Sequence, residues 1–358
     1  MAHKAPPALS IGPRPGAPGL RGDRFRAPPG AARRAPFRGN LAALDLGTNN
    51  CRLLIARPEG EDFIIVDAFS RIVRLGEGLA ATGYLSDAAV ERTISALSVC
   101  ADKLCRRRVT LARSVATEAC RQAENGAEFV DRVRQETGIM LDIISAREEA
   151  RLAVIGCHAL LEGGEGPALI FDIGGGSTEL AVIEGRGTAL RIVDWLSAPF
   201  GVVSLAEAVV TQGDGPAARA AAYAEMLACM REAFSGFAAR LDRRGESLRL
   251  LGTSGTVTTL ASVYLGLPRY DRQAVDGLIV PSAAMRDIAR RLSTMSMAER
   301  VALPCIGDER ADLVVAGCAI LEAILDIWPA ERLGVADRGI REGILRSLLD
   351  SASSRQLR

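Results

Sequence analysis

Apolar and polar residues alternate along this chain in two rhythms. Short apolar runs bounded by Gly, Asn, Asp or Pro cover residues 41–46, 51–57, 63–69, 109–115, 139–144, 168–173, 178–183, 188–195, 248–252 and 333–336. Runs of this length predict strands. Between them, apolar residues recur every three or four positions. That spacing predicts helices over 86–107, 127–137, 217–243, 281–293, 296–301 and 309–328, one opening at Ser145, and one closing the chain after Gly343. In the first of these, Ser86 is the cap, and Val90, Ile94, Leu97, Ala101 and Leu104 share one face. Strands alternating with helices define an α/β chain.

Two of the strand pairs are versions of one pattern. Phe171-Asp172-Ile173-Gly174-Gly175-Gly176-Ser177-Thr178-Glu179-Leu180 joins one pair, and Leu44-Asp45-Leu46-Gly47-Thr48-Asn49-Asn50-Cys51-Arg52-Leu53 joins the other. Aligned, Asp45 matches Asp172, Gly47 matches Gly174, and Arg52 stands where Glu179 stands. Each reads as a hairpin. Its glycines let the backbone approach a ligand closely, and successive N–H groups form a concavity suited to phosphate. Asp172 and Glu179, with Asp45 from the other copy, are oxygen donors for a hard cation. A single glycine-rich turn with ordinary flanking charges needs no ligand; the second copy is what favours a site. Two copies predict two related lobes whose loops enclose a phosphate, with Gly47, Thr48, Asn49 and Asn50 on one side and Gly174, Gly175, Gly176, Ser177 and Thr178 on the other.

Three further stretches carry candidate chemistry. In Ser145-Ala146-Arg147-Glu148-Glu149, Ser145 caps a helix and Glu148 completes a capping box. Glu149 points about 100° away around the helix; it reads either as a first-turn acid favouring the helix dipole or as a functional acid. Arg121 stands at a helix start, where a surface charge is the plain reading. Thr253-Ser254-Gly255-Thr256 enters a helix from a strand, either as a tight packed turn or as a helix N-terminus facing an anion.

These strings, in their order and spacing, resemble the exopolyphosphatase and guanosine pentaphosphate phosphatase (Ppx/GppA) family of the actin, hexokinase and Hsp70 superfamily. The matching stretches are Ala43–Arg57, Ser114–Gln122, Ile144–Leu152, Leu169–Ile183, Leu250–Ala261 and Val335–Leu345. The resemblance implies an α/β fold of two ribonuclease H-like, actin-like ATPase domains with a cleft between them. It divides the chain into a disordered tail (1–40), a first lobe (41–163), a second lobe (164–336) and a C-terminal segment (337–358) whose helix packs back on the first lobe. It implies that Glu149 is the catalytic base and that Arg121 reaches a substrate phosphate. The implied reaction is Mg²⁺- (or Mn²⁺-) dependent hydrolysis of the terminal phosphoanhydride of inorganic polyphosphate, with guanosine pentaphosphate (pppGpp) as the rival substrate. Longer family members add a C-terminal helical domain that this sequence does not reach, so a long phosphate chain is expected to be held by a homodimer. A metabolite kinase of the same superfamily would use an aspartate base, against which the Glu148-Glu149-Ala150-Arg151 string argues. A sensor that binds without turnover would use the same pocket.

Composition bounds the remaining classes. The net charge of +1 hides an uneven distribution: residues 1–40 carry Lys4 and seven arginines against Asp23 alone, near +7, which leaves the rest near −6. Eight of the 16 prolines also lie there, a composition that cannot bury a core. The tail therefore reads as disordered, or as a basic arm for a polyanion. No specific nucleic-acid partner is indicated, and no run approaches the roughly 20 apolar residues of a membrane span. The eight cysteines form no C-x-x-C pair and read as free thiols in a cytoplasmic protein. Only His3 and His158 are present, which excludes a His-rich zinc site.

Overall fold

A computed structural model describes residues 23–24, 39–60, 62–161, 163, 166–185, 190–209, 213–241 and 248–355. The strands are β1 Asp23–Arg24, β2 Asn40–Leu46, β3 Asn50–Glu59, β4 Asp62–Ile72, β5 Val109–Ala116, β6 Leu141–Ile143, β7 Ala168–Ile173, β8 Thr178–Glu184, β9 Arg191–Ala198, β10 Arg249–Thr253, β11 Ile279–Pro281 and β12 Arg332–Ala336. One sheet has the order β4-β3-β2-β5-β6 and the other β1-β9-β8-β7-β10-β12-β11. In each, an antiparallel meander leads into two parallel strands: β4-β3-β2 then β5 and β6, and β9-β8-β7 then β10 and β12. The repeat seen in the loops thus extends to whole sheets, and the chain is two ribonuclease H-like lobes.

Alternation sets the faces. In β2, Ala42, Leu44 and Leu46 pack on one side with the helix Asp87–Arg106, while Leu41 and Ala43 pack on the other with the helices Ala146–Cys157 and Ile340–Arg355. Ala146–Cys157 lies between the sheets. Its Leu152 and Ala153 join the core under β2, and its Val154 and Cys157 join the core under β7. It crosses Ile340–Arg355 at backbone distance: an added Cβ on Gly156 would overlap the Gly339 carbonyl, and one on Gly343 would overlap the Leu152 carbonyl. Ile340, Ile344, Leu345 and Leu349 then cover the first lobe's sheet.

Several sequence expectations need correction. The strand expected at 139–144 is only Leu141–Ile143, and the helix expected from Glu309 begins at Val314 after a run of turns. Ser145 caps its helix by accepting from the Glu148 N–H, but the Glu148 carboxylate does not complete a capping box. It pairs with Arg113 and Arg151 instead, because two guanidiniums are stronger partners than one amide. The expected tail lies outside the described residues apart from Asp23–Arg24, which pair with β9, and the residues from 39 onward.

The helix crossing makes a clear prediction. Gly→Ala within a helix ordinarily stabilises by about 0.5–1 kcal/mol. Here Gly343→Ala should destabilise by about 2 kcal/mol through overpacking against Leu152, read as a lower midpoint in urea.

Candidate active site

The two hairpins present charged pairs beside their turns. Asp45 lies directly across from Arg52, and Asp172 directly across from Glu179; opposite residues share one face of a sheet. The turns close alike, Gly47 N–H donating to Asn50 O at 2.9 Å and Gly174 N–H to Ser177 O at 3.0 Å. These two amides are used by the turn itself and are not available to an anion.

The remaining amides are aimed by their carbonyls. Val202 N–H donates to Gly174 O (2.9 Å), Val203 N–H to Gly175 O (2.8 Å) and the Ser204 hydroxyl to Gly176 O (3.0 Å). All three donors belong to the helix Val202–Ala208. The C=O and N–H of one trans peptide point in opposite directions. The N–H groups of Gly175, Gly176 and Ser177 therefore face away from that helix, toward the cavity these residues line. In the first lobe, Val73 and Arg74 N–H groups donate to Asn49 O (2.9 and 3.1 Å) and Gly76 N–H to Thr48 O (2.9 Å), which turns the Asn49 and Asn50 amides in the same manner. The loops touch. A Cβ on Gly175 would come within 3.0 Å of Asn49 N, and one on Gly176 within 2.5 Å of Thr48 Oγ1.

Five carboxylates line the same cavity: Glu118 and a group of four, Asp45, Glu149, Asp172 and Glu179. Burial pushes all four toward the neutral form. Asp172 rises to about 6, with the Arg52 charge opposing, and Asp45 is raised against the same arginine. Glu149 rises to about 7 through burial, opposed by Arg121 and reinforced by Asp45 and Asp172. Glu179 is raised well above its ordinary range, by burial and then by the neighbouring Glu149 and Asp172 charges, although the Ser197 hydroxyl donates to it at 2.8 Å. Asp45 Oδ1 and Asn49 Oδ1 are buried without a partner.

Most of the sequence-derived site residues meet here. Asp45, Gly47, Thr48, Asn49, Asn50, Glu149, Asp172, Gly174, Gly175, Gly176, Ser177 and Glu179 all line the cavity. Two do not. Thr178 is fully buried, and its hydroxyl donates to Phe200 O at 2.7 Å, since the strand alternation turns it into the core. Arg121 lies behind the wall: it donates to Glu149 Oε2 and to Ile144 O at 2.8 Å each, and to Glu118. Three anionic or carbonyl acceptors satisfy its guanidinium without a phosphate. Ser254, Gly255 and Thr256, one of whose two sequence readings was a helix N-terminus facing an anion, also line the cavity, as do Arg52, Glu118 and Arg310, to which the sequence reading gave no role. Arg52 was accessible from the repeat, because the residue opposite Asp45 must share its face. Ser254, with φ 126°, holds a backbone conformation rare for a side-chain-bearing residue at the helix start facing the cavity.

Opposed backbone amides over a floor of carboxylates, set between ribonuclease H-like lobes, define a site for phosphoryl chemistry. Comparison with known proteins narrows the class. The Ppx/GppA phosphatase family model matches residues 54–352. The chain belongs to that family, whose members are hydrolases of phosphoanhydride bonds. It is 32% identical over 330 residues to exopolyphosphatase 2 of Mycobacterium tuberculosis, covering 86% of this chain and 98% of that protein. A Ppx/GppA family member from Aquifex aeolicus superposes with a TM-score of 0.71 at 28% identity, covering 88% of this chain and 98% of the other. An exopolyphosphatase from Cytophaga hutchinsonii, 22% identical over 87% of this chain and 98% of its own, has the same fold with a TM-score of 0.78.

The buried acids set a stability test. A carboxyl whose pKa is raised in the folded state favours folding while it is protonated, and that contribution is lost as pH rises through the folded value. Asp172 charged above pH 6 thus destabilises the metal-free fold. Asp172→Asn should melt about 2 °C or more above wild type at pH 8 in EDTA, with the difference closing below about pH 4. A variant that melts lower at pH 8 would contradict this electrostatic account.

Proposed function

We propose that the chain is an exopolyphosphatase that hydrolyses the terminal phosphoanhydride of inorganic polyphosphate and releases phosphate, with Mg²⁺ (or Mn²⁺) as its cation. The observation that carries this reading is the position of Glu149. It is buried in the cavity between the two amide loops, fixed by Arg121, with a pKa of about 7. A base poised near the working pH is suited to taking a proton from water. The M. tuberculosis relative named exopolyphosphatase 2 matches over nearly its whole length, which supports the substrate class.

In this mechanism the terminal phosphate seats between Thr48–Asn50 and Gly175–Ser177. Their N–H groups stabilise charge on the transferring phosphoryl group. Water lies between Glu149 and phosphorus; Glu149 takes its proton as oxygen attacks in line with the departing phosphate. Arg121 keeps the Glu149 carboxylate oriented rather than touching substrate. The donor set fits a hard cation. Asp45 Oδ1 is buried without a partner, and Asp172 and Glu179 are oxygen donors of the same cavity. Among the described residues, no three His, Cys, Asp or Glu side chains close on one point. Asp172 and Glu179, with Asp45, would therefore hold the ion together with water, as Mg²⁺ accepts. When bound, the ion supplies charge neutralisation of phosphate oxygens.

A second reading, pppGpp hydrolysis, draws on Ile72, Leu313 and Val314, which give the cavity an apolar wall that a guanine ring can cover. The proposal also places the enzyme in the cytoplasm, as a homodimer. All eight cysteines are free thiols, as a reducing compartment keeps them. No helix among the described residues is long and apolar enough to cross a membrane.

Glu149→Gln should lower phosphate release from long-chain polyphosphate by about 10²–10⁴-fold without changing the melting temperature by more than a few degrees. Undiminished turnover would remove the proposed base. Glu149 works in its charged form, so the wild-type rate should rise with pH and level off above about 7. Phosphate release measured separately on polyphosphate, pppGpp and ATP, with EDTA controls, ranks the substrates. Binding of polyphosphate without release would identify a sensor.

A further inference from the structure

The segment Val73–Gly78 has no part in the chemistry above, yet it touches both lobes beside the cavity. On one side its amides hold the Thr48–Asn49 loop, as described. Gly76 lies so close to Thr48 Cγ2 that no side chain fits there. On the other side it reaches the second lobe twice. Arg74 Nη1 meets Asp312 Oδ2 at 2.8 Å, and Gly78 N–H donates to Glu207 Oε1 at 2.9 Å. Glu207 sits on the helix Val202–Ala208, whose first turn orients the glycine loop. Asp312 lies between Arg310 and Leu313, both on the cavity wall. One short segment therefore joins the first phosphate loop to the element that aims the second loop and to the wall opposite.

Its backbone is held for this purpose. Arg74 has φ 48° and Gly78 φ 75°. Glycine takes this left-handed conformation freely, whereas arginine does so at a cost, and such strain persists only where surrounding contacts impose it. The Arg74–Asp312 pair is partly exposed, with side chains 36% and 28% accessible. A pair of that kind adds little to global stability. Its consequence lies in its placement across the two lobes.

We propose that Arg74 and Asp312 are positioning residues: their ion pair clasps the lobes and so sets the separation of the two phosphate loops. The inference rests on reading those loops as the phosphate seat. With the pair broken, each loop keeps its own hydrogen bonds while the lobes part more readily. If the closed fraction falls to about a tenth, apparent affinity falls about tenfold.

The test uses the full chain with Glu149→Gln as parent, so that tripolyphosphate binds without turnover. Arg74→Ala, Asp312→Ala and the exchanged pair Arg74→Asp with Asp312→Arg are compared by calorimetry and small-angle X-ray scattering. Aspartate tolerates left-handed backbone, so the exchange suits position 74. Each single variant should bind tripolyphosphate about tenfold more weakly and show a larger radius of gyration, with its melting temperature nearly unchanged. The exchanged pair should restore both. Wild-type scattering and affinity in the single variants would overturn the proposal, as would an exchanged pair that melts normally yet restores neither. If the parent itself fails to bind tripolyphosphate, the reading of the loops as a phosphate seat fails, and scattering alone still decides whether the pair holds the lobes together.

Discussion

Repulsion among Asp45, Glu149, Asp172 and Glu179 is the constraint on which the rest of the molecule depends. Burial raises all four pKa values, and the acids raise one another, so the cavity is short of positive charge. Arg121 answers Glu149 directly, and Arg52 answers Asp45 and Asp172 through space. Among the described residues, Asp45 Oδ1 has no hydrogen-bond partner. A protein holds such a cluster only if the elements carrying it cannot relax apart. Glu149 is carried by the helix Ala146–Cys157, locked against Ile340–Arg355 at Gly156 and Gly343. The aspartates are carried by central strands β2 and β7, each hydrogen-bonded on both edges. The rigid parts of the fold thus bear the electrostatic strain, and the loops above them supply the amides.

Missing side chains do much of the positioning. The loops meet at Gly175 and Gly176, the Val202–Ala208 helix reaches the glycine loop through Gly201, and the crossing helices meet at Gly156 and Gly343. In each case a Cβ would collide with backbone or with a polar side chain. These glycines act through close approach at negative φ rather than through left-handed turns, and none of them appears among the positive-φ residues. Their effect is to let peptide dipoles, rather than long flexible side chains, line this part of the cavity.

The fold was legible because its strongest signal was a repeat. Asp45-Leu46-Gly47 and Asp172-Ile173-Gly174 placed two hairpins, and the sheets around them have the same strand order. Most cavity residues followed, because they are the loop residues themselves or their immediate flanks. What escaped had non-local causes. Thr178 belongs to the string but faces the core, since the first residue of β8 alternates inward. Arg121 meets Glu118 and Glu149 only because β6 and two helix starts converge, a contact between residues up to 28 positions apart. Arg310 reaches the cavity from a run of turns where periodicity suggested the first turn of a helix. Local pattern gave elements and loops; it could not give the partner a long charged side chain selects after folding.

The two hairpins share a backbone but not a charge. Across from Asp45 stands Arg52, whereas across from Asp172 stands Glu179. The first hairpin therefore brings one cation and one acid to the cleft, and the second hairpin brings two acids. The consequence is visible in the second pair: Glu179, with no arginine opposite, is raised well above its ordinary range, by burial and then by Glu149 and Asp172. The two hairpins thus face the cleft with unequal charge, balanced at Asp45–Arg52 and doubly acidic at Asp172–Glu179. The two hairpins are alike in backbone, and one residue in each, Arg52 against Glu179, makes them unequal in charge.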